Sequence, residues 1–174
     1  MLVAGSPTWG EFLLGRFTYD VFAGHWPKVT DPADETARTI NSTIKNVVTS
    51  RVVDNECNDT TNVLGDDFLD MIQDLKSRDL EGELQVHGSV QLARTLHEAG
   101  LIDTYRFLIA PVVVGSGFRI FDESGPAKGM TVIHRDITEN GVVALDLKPR
   151  PFVNNLTPVV EDGKEVLREN DASN

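Results

Sequence analysis

The segment Leu84 to Phe121, LQVHGSVQLARTLHEAGLIDTYRFLIAPVVVGSGFRIF, limits this chain to few folds. Leu84–His87 is a short apolar run ending at Gly88. Ser89 follows as a helix cap, and Val90, Leu92, Ala93 and Leu96 recur at helical spacing. Gly100 stands where a helix C-cap glycine belongs. Tyr105–Val114 is a second β-rich run, broken only by Pro111. The order strand, glycine turn, helix, strand predicts a βαβ unit with its glycine at the carboxyl end of the first strand. The first amides of such a helix lack partners and point outward, which suits a phosphate or pyrophosphate.

At 174 residues the chain is expected to be one domain with a real core. Its formal net charge of −11 argues against nucleic acid and anionic membranes as partners, since both need clustered Lys and Arg. A phosphorylated small molecule stays compatible, because a few placed donors suffice. Cys57 is the only cysteine, so an internal disulfide and a cysteine zinc site are excluded. Its acidic neighbours disfavour a reactive thiolate. No apolar stretch has the length of a membrane span, and a cytoplasmic protein is the simplest expectation.

Glu11–Leu14 reads as a strand, followed by Gly15 and a helix from about Arg16 to Ala23 with Phe17, Val21 and Phe22 as its buried face. Thr30–Glu35 reads as a loop and first helical turn. Ile44–Thr49 is a strand, and the turn formers Asp54-Asn55 and Asn58-Asp59 mark a loop. Asp66–Asp79 carries the clearest helical period, with Phe68, Leu69, Ile72 and Leu75 on one face. Met130–Ile137 and Val142–Leu147 flank Asn140-Gly141, a strong hairpin signal. Pro149-Arg150-Pro151 is expected to break structure and to divide a domain over 1–149 from a polar extension over 150–174. That extension holds a small hairpin around Asp162-Gly163 and a disordered end from Arg168. The predicted fold is α/β, with a mostly parallel central sheet, flanking helices and a C-terminal antiparallel hairpin.

Three predicted strand ends share one sheet edge: Gly15-Arg16, Thr49-Ser50-Arg51 and Gly88-Ser89. Ligands of open α/β sheets bind at such an edge. Two of the three open helices; the third brings hydroxyls and a guanidinium suited to a phosphate. Taken singly, Gly15 and Gly88 are tight turns, and Ser50-Arg51 is as readily a solvated loop. Gly115-Ser116-Gly117 reads first as a flexible turn and second as backbone approaching a bound cofactor. His25, His87, His97 and His134 have no metal-ligand spacing, so no metal is expected. His97 is placed on the exposed side of its helix and His134 as a cross-strand neighbour. His87 carries more weight, since it precedes Gly88 at the ligand edge.

The pieces Leu13-Leu14-Gly15-Arg16-Phe17-Thr18-Tyr19-Asp20, Lys45-Asn46-Val47-Val48-Thr49-Ser50, His87-Gly88-Ser89, Ala99-Gly100-Leu101-Ile102-Asp103 and Ala110-Pro111-Val112-Val113-Val114-Gly115-Ser116-Gly117 resemble the bacterial reductase family typified by the C-terminal domain of the riboflavin-biosynthesis deaminase/reductase, which has the dihydrofolate reductase fold. The resemblance implies NADPH binding and hydride transfer to a small pteridine-like or pyrimidine-like heterocycle, and a homodimer. It places Gly15, Arg16 and Thr18 on the pyrophosphate side and Thr49, Ser50 and Arg51 at the adenosine ribose phosphate. Gly88, Ser89, Val90 and Leu92 would line the nicotinamide and pyrophosphate. It names no catalytic acid.

Family members begin with a strand and a Ser-Leu-Asp-Gly-like segment ahead of the first matched piece, and that strand is central in their sheet. Only ten residues precede Glu11 here, so unpaired strand edges are expected. Leu2–Gly5, the Val159–Leu167 hairpin or another chain would have to fill the place, unless the chain is truncated. The competing function is a non-catalytic nucleotide-binding or dimerisation module on the same scaffold.

Overall fold

A computed structural model describes residues 9–53, 57–78, 82–121, 125–153 and 156–169. They fall into two compact units, one of residues 1–101 with 118–122 and one of 102–117 with 123–174.

The first unit is built on a four-stranded parallel sheet in the order β3-β2-β1-β4. Its strands are β1 (Trp9–Gly15), β2 (Lys45–Val48), β3 (Thr61–Leu64) and β4 (Glu83–Val86), and its helices are α1 (Arg16–His25), α2 (Glu35–Ser42), α3 (Phe68–Ser77) and α4 (Val90–Glu98). Alternation along the strands sends apolar side chains to both faces, as a covered parallel sheet requires. Phe12, Leu14 and Val47 form one core cluster with Tyr19 of α1, Ile40 of α2 and Cys57. Leu13 and Leu64 are buried as well, as are Ile72 and Leu75 of α3 and Leu92, Ala93 and Leu96 of α4.

Several local expectations are met. The α3 period buries Ile72 and Leu75 and half-buries Phe68 and Leu69, and the α4 period buries Leu92, Ala93 and Leu96 and half-buries Val90. Leu101 N–H donates to Leu96 O at 2.9 Å and Gly100 N–H to His97 O at 3.1 Å, with Gly100 at φ +68°. That pair of bonds is a Schellman stop.

Other expectations are corrected. Helix α1 buries Tyr19 and half-buries Phe22 and Ala23, with Trp26 at its C-cap also half-buried, while Phe17 and Val21 are exposed. The winning stripe is itself at helical spacing, and the Tyr19 hydroxyl finds Thr61 Oγ1 at 3.0 Å, which satisfies its one polar group in the core. His97 is buried, its ring 5.3 Å from that of Phe121 in a T-shaped contact. Strand β3 follows the Asn58-Asp59 turn directly, where the sequence showed only a loop.

The second unit holds an antiparallel sheet in the order β5-β7-β6 and a separate hairpin, β8-β9. These strands are β5 (Tyr105–Ile109), β6 (Lys128–Ile137), β7 (Val143–Pro151), β8 (Leu156–Glu161) and β9 (Lys164–Glu169). The Asn140-Gly141 turn closes as expected, with Gly141 at φ +78° donating to Thr138 O at 2.8 Å. Pro149 and Pro151 do not break the chain: β7 runs through both, opposite Met130 and Lys128. They lie beyond Leu147, where pairing with β5 ends, so β7 is there an edge strand that tolerates missing donors.

Strand β5 pairs with β7 and not with β4, so the βαβ unit read from the sequence is not closed by a parallel pairing of its two strands. Among the described residues, β4 and β5 each end a sheet with one edge unpaired. Strands β8 and β9 of the tail hairpin pair with each other and, among the described residues, with no other strand. Leu2–Gly5 and most of the end from Arg168 onward lie outside the described residues.

Candidate functional site

Parallel pairing sets Gly15 opposite Val48 and Leu13 opposite Val86, so β1, β2 and β4 release their chains at one sheet edge. Gly15-Arg16, Thr49–Arg51 and Gly88-Ser89 therefore gather on a common rim. Side chains tie them together. Gly15 N–H donates to Ser89 Oγ at 2.9 Å, and Ser89 N–H donates to Thr18 Oγ1 at 3.2 Å. The Ser89 hydroxyl has Thr18 Oγ1 at 2.9 Å and His87 O at 3.1 Å as acceptors for its single proton. Arg16 donates through a terminal guanidinium nitrogen to Val52 O at 2.9 Å, joining α1 to the turn after β2.

The latch explains a correction. Ser89 precedes α4, but its hydroxyl does not cap the helix. Gly88 and Ser89 both have left-handed backbones, with φ of +56° and +49°. This swings the Ser89 side chain back toward Gly15. A left-handed serine costs on the order of 1 kcal/mol, which three hydrogen bonds offset.

The consequence is two helix N-termini side by side with unused amides. Neither α1 nor α4 has a side-chain cap or an acidic residue in its first turn. The other two helices differ: Asp34 accepts from Ala37 N at 2.9 Å with Glu35 following, and α3 carries Asp70 in its first turn. In a chain with 27 acids, the first turns of these two helices hold no Asp or Glu to compete with a bound anion.

The predicted residues take different parts. Gly15, Thr18 and Ser89 form the latch. Arg16 is turned to Asp20 Oδ1 at 2.8 Å, so it offers the rim its main-chain amide. Thr49 Oγ1 accepts from Arg51 N at 3.1 Å, closing a tight turn on which Ser50 and Arg51 are exposed. Arg51 has no ion-pair partner among the described residues. Leu92 is buried, which leaves its amide as the only group it can direct to the rim.

His87, just before the rim, packs edge-on against Phe12 with ring centroids 5.1 Å apart, and its Nε2 lies 3.0 Å from Gln85 Oε1. Burial pushes its pKa below the ordinary histidine range. Gln85 Nε2 is buried with no hydrogen-bond partner among the described residues. Sequence reading missed a second polar feature, Lys45-Asn46 in the centre of the sheet. Both are buried, and desolvation lowers the Lys45 pKa, with Cys57 opposing. The signal was available, since a charged and an amide residue open a strand of a covered sheet, where apolar runs are the rule.

No cluster of metal-ligating side chains occurs among the described residues, and none of their helices is long and apolar enough to cross a membrane. A profile of the RibD C-terminal domain matches residues 9–145. The uncharacterized protein YyaP of Bacillus subtilis strain 168 is 27% identical over 135 residues, covering 76% of this chain and 70% of that one. Among solved structures, a candidate riboflavin biosynthesis protein from Shewanella sp. PV-4 superposes with TM-score 0.63 at 18% identity, over 81% of this chain and 74% of that one. A pyrimidine reductase-like protein from Corynebacterium diphtheriae gives 0.53 at 13% identity, over 82% and 77%. Acinetobacter baumannii RibD gives 0.56 at 15% identity, over 81% of this chain and 47% of its own longer one. The structural likenesses establish the fold, and the profile match over most of the length establishes descent: the chain belongs to the RibD C-terminal domain family.

Proposed function

We propose that this chain is a cytoplasmic, NADPH-dependent reductase of a small heterocycle of the riboflavin-precursor type. The observation that carries the reading is the pair of acid-free, uncapped helix N-termini latched together by Ser89. Main-chain amides of Arg16 and Val90 and their neighbours would hold the pyrophosphate, and Ser50 and Arg51 the ribose phosphate. The bound nicotinamide supplies the hydride; the protein aligns it and the acceptor. Membership of the RibD C-terminal domain family supports the same assignment.

The test is a fluorescence titration of NADPH. Saturable binding in the micromolar range is expected for the native chain. Ser89→Ala should weaken it about tenfold, because Gly15 N–H loses its acceptor and the two rims lose their tie. Absence of NADPH binding at millimolar concentration rejects the proposal. Binding without turnover of any riboflavin precursor or dihydrofolate favours the non-catalytic module.

The second unit exposes an apolar set, with Ile109, Ile137 and Val132 on β-strands and Val112–Val114 in the loop after β5. We propose that a second copy of the chain covers it. Light scattering should give the mass of a dimer, and Ile137→Asp should yield monomer. A native monomer at about 50 μM excludes the proposal.

A further inference from the structure

A groove of about 530 Å³ lies in the first unit, between α3 and the outer strand β3. That is within the roughly 300–1,000 Å³ typical of small-molecule sites. It is lined by residues of β2, β3 and α3, none of them among the rim residues assigned to the cofactor.

Three polar groups meet there. Asn46 lies at the groove's inner wall, and its Nδ2 donates to Glu11 Oε2 at 2.7 Å and to Phe12 O at 3.2 Å. Both partners only accept, so the amide has one orientation and its Oδ1 faces the other way. Asn62 Nδ2 donates to that Oδ1 at 3.2 Å. Asn62 is thereby oriented in turn, and its own carbonyl oxygen is left over as an acceptor. The second and third groups are Asp74 of α3 and Arg78 at its C-cap. An acid four residues before a base is the favourable order for a helical ion pair. Here neither the carboxylate nor the guanidinium has a side-chain partner among the described residues, although both line one groove. The remaining lining is Thr61 and the apolar Val63, Leu64, Met71 and Leu75.

We propose that this groove binds a small zwitterion, an α-amino acid with an aliphatic side chain. Asn62 Oδ1 and the Asp74 carboxylate would accept from the ammonium, Arg78 would take the carboxylate in a bidentate pair, and the side chain would lie on Leu64, Met71 and Leu75. Glu11 and Asn46 act at a distance, since they fix which end of the Asn62 amide is presented. The buried amide in a central parallel strand, where an apolar residue is the rule, then has a use. The inference is independent of the cofactor reading.

Saturation-transfer NMR on the full chain tests it with L-leucine and L-methionine, against 4-methylpentanoate and 3-methylbutylamine, which carry one charge each. The amino acids should bind with a dissociation constant of about 1 mM and the single-charge analogues about tenfold more weakly. Arg78→Gln and Asp74→Asn change exposed side chains, so folding is retained, and each should weaken the amino acids about tenfold while leaving NADPH titration unchanged. The proposal is overturned by any of three results: no saturable amino-acid binding up to about 50 mM, analogues binding as well as amino acids, or both variants binding like the native chain.

Discussion

Gly10→Ala should lower the melting temperature by about 6–10 °C, equivalent to about 3 kcal/mol, the largest effect of any small substitution in the first unit. A Cβ at Gly10 would sit 2.8 Å from Glu83 O, 2.9 Å from Glu83 N and 2.9 Å from Gly82 C. All three atoms are main chain of the neighbouring strand, so no rotamer change relieves the contact. The register between β1 and β4 shifts at this residue, from Trp9 opposite Glu83 to Glu11 opposite Leu84. A methyl group there must push β4 away from β1. The same displacement parts Ser89 from Gly15, so cofactor affinity should fall together with stability. Gly24→Ala is the control: its Cβ meets nothing within 4 Å, and the position is helical. It should gain roughly 0.5 kcal/mol. A Gly10→Ala protein that melts with the native chain would show that β1 and β4 are not packed as described.

Arg51→Glu should weaken NADPH by about a hundredfold and NADH by less than about threefold. Arg51 stands on an exposed turn closed by Thr49, with a guanidinium engaged in no ion pair among the described residues. A ribose phosphate there would make a charge-assisted bidentate contact, which NADH cannot form. The substitution removes that attraction and adds a repulsion of like charges. Arg16→Gln separates this role from a general electrostatic effect. Arg16 is held by Asp20 and Val52 O, so both cofactors should lose affinity alike, through the geometry of the turn. Equal losses of NADPH and NADH in Arg51→Glu would remove Arg51 from the phosphate site while leaving the helix N-termini in place.

The parts of the fold that were legible have strong local rules. Helices α3 and α4 repeat their apolar residues every three or four positions, and Asn140-Gly141 permits few conformations besides a hairpin turn. Strand β3 was invisible because Thr61-Asn62-Val63-Leu64 has no alternation; only its pairing with β2 makes it a strand. The buried face of α1 was misjudged because two stripes have helical spacing, and the choice between them depends on Thr61, forty-two residues after Tyr19. His97 was misplaced for a similar reason, since the ring it meets is that of Phe121, far along the chain. At the site, sequence placed the three turns because they follow strands. It did not show that Ser89 joins two of them: a left-handed serine and its long-range hydrogen bonds to Gly15 and Thr18 are tertiary facts.

The polar dipeptide that opens β2 also dictates how the chain threads. Lys45 delivers its ammonium to Thr43 O at 2.8 Å and Thr60 Oγ1 at 3.2 Å, on the side opposite to the one where Asn46 meets Glu11. Sliding β2 by a single residue would exchange the two sides, stranding a cation beneath α3 and an amide among Phe12, Leu14 and Ile40. An all-valine segment would tolerate that slip at little cost. Mispaired alignments are therefore penalised at the central strand pair of the sheet, and the chain trades some stability for a single permitted alignment.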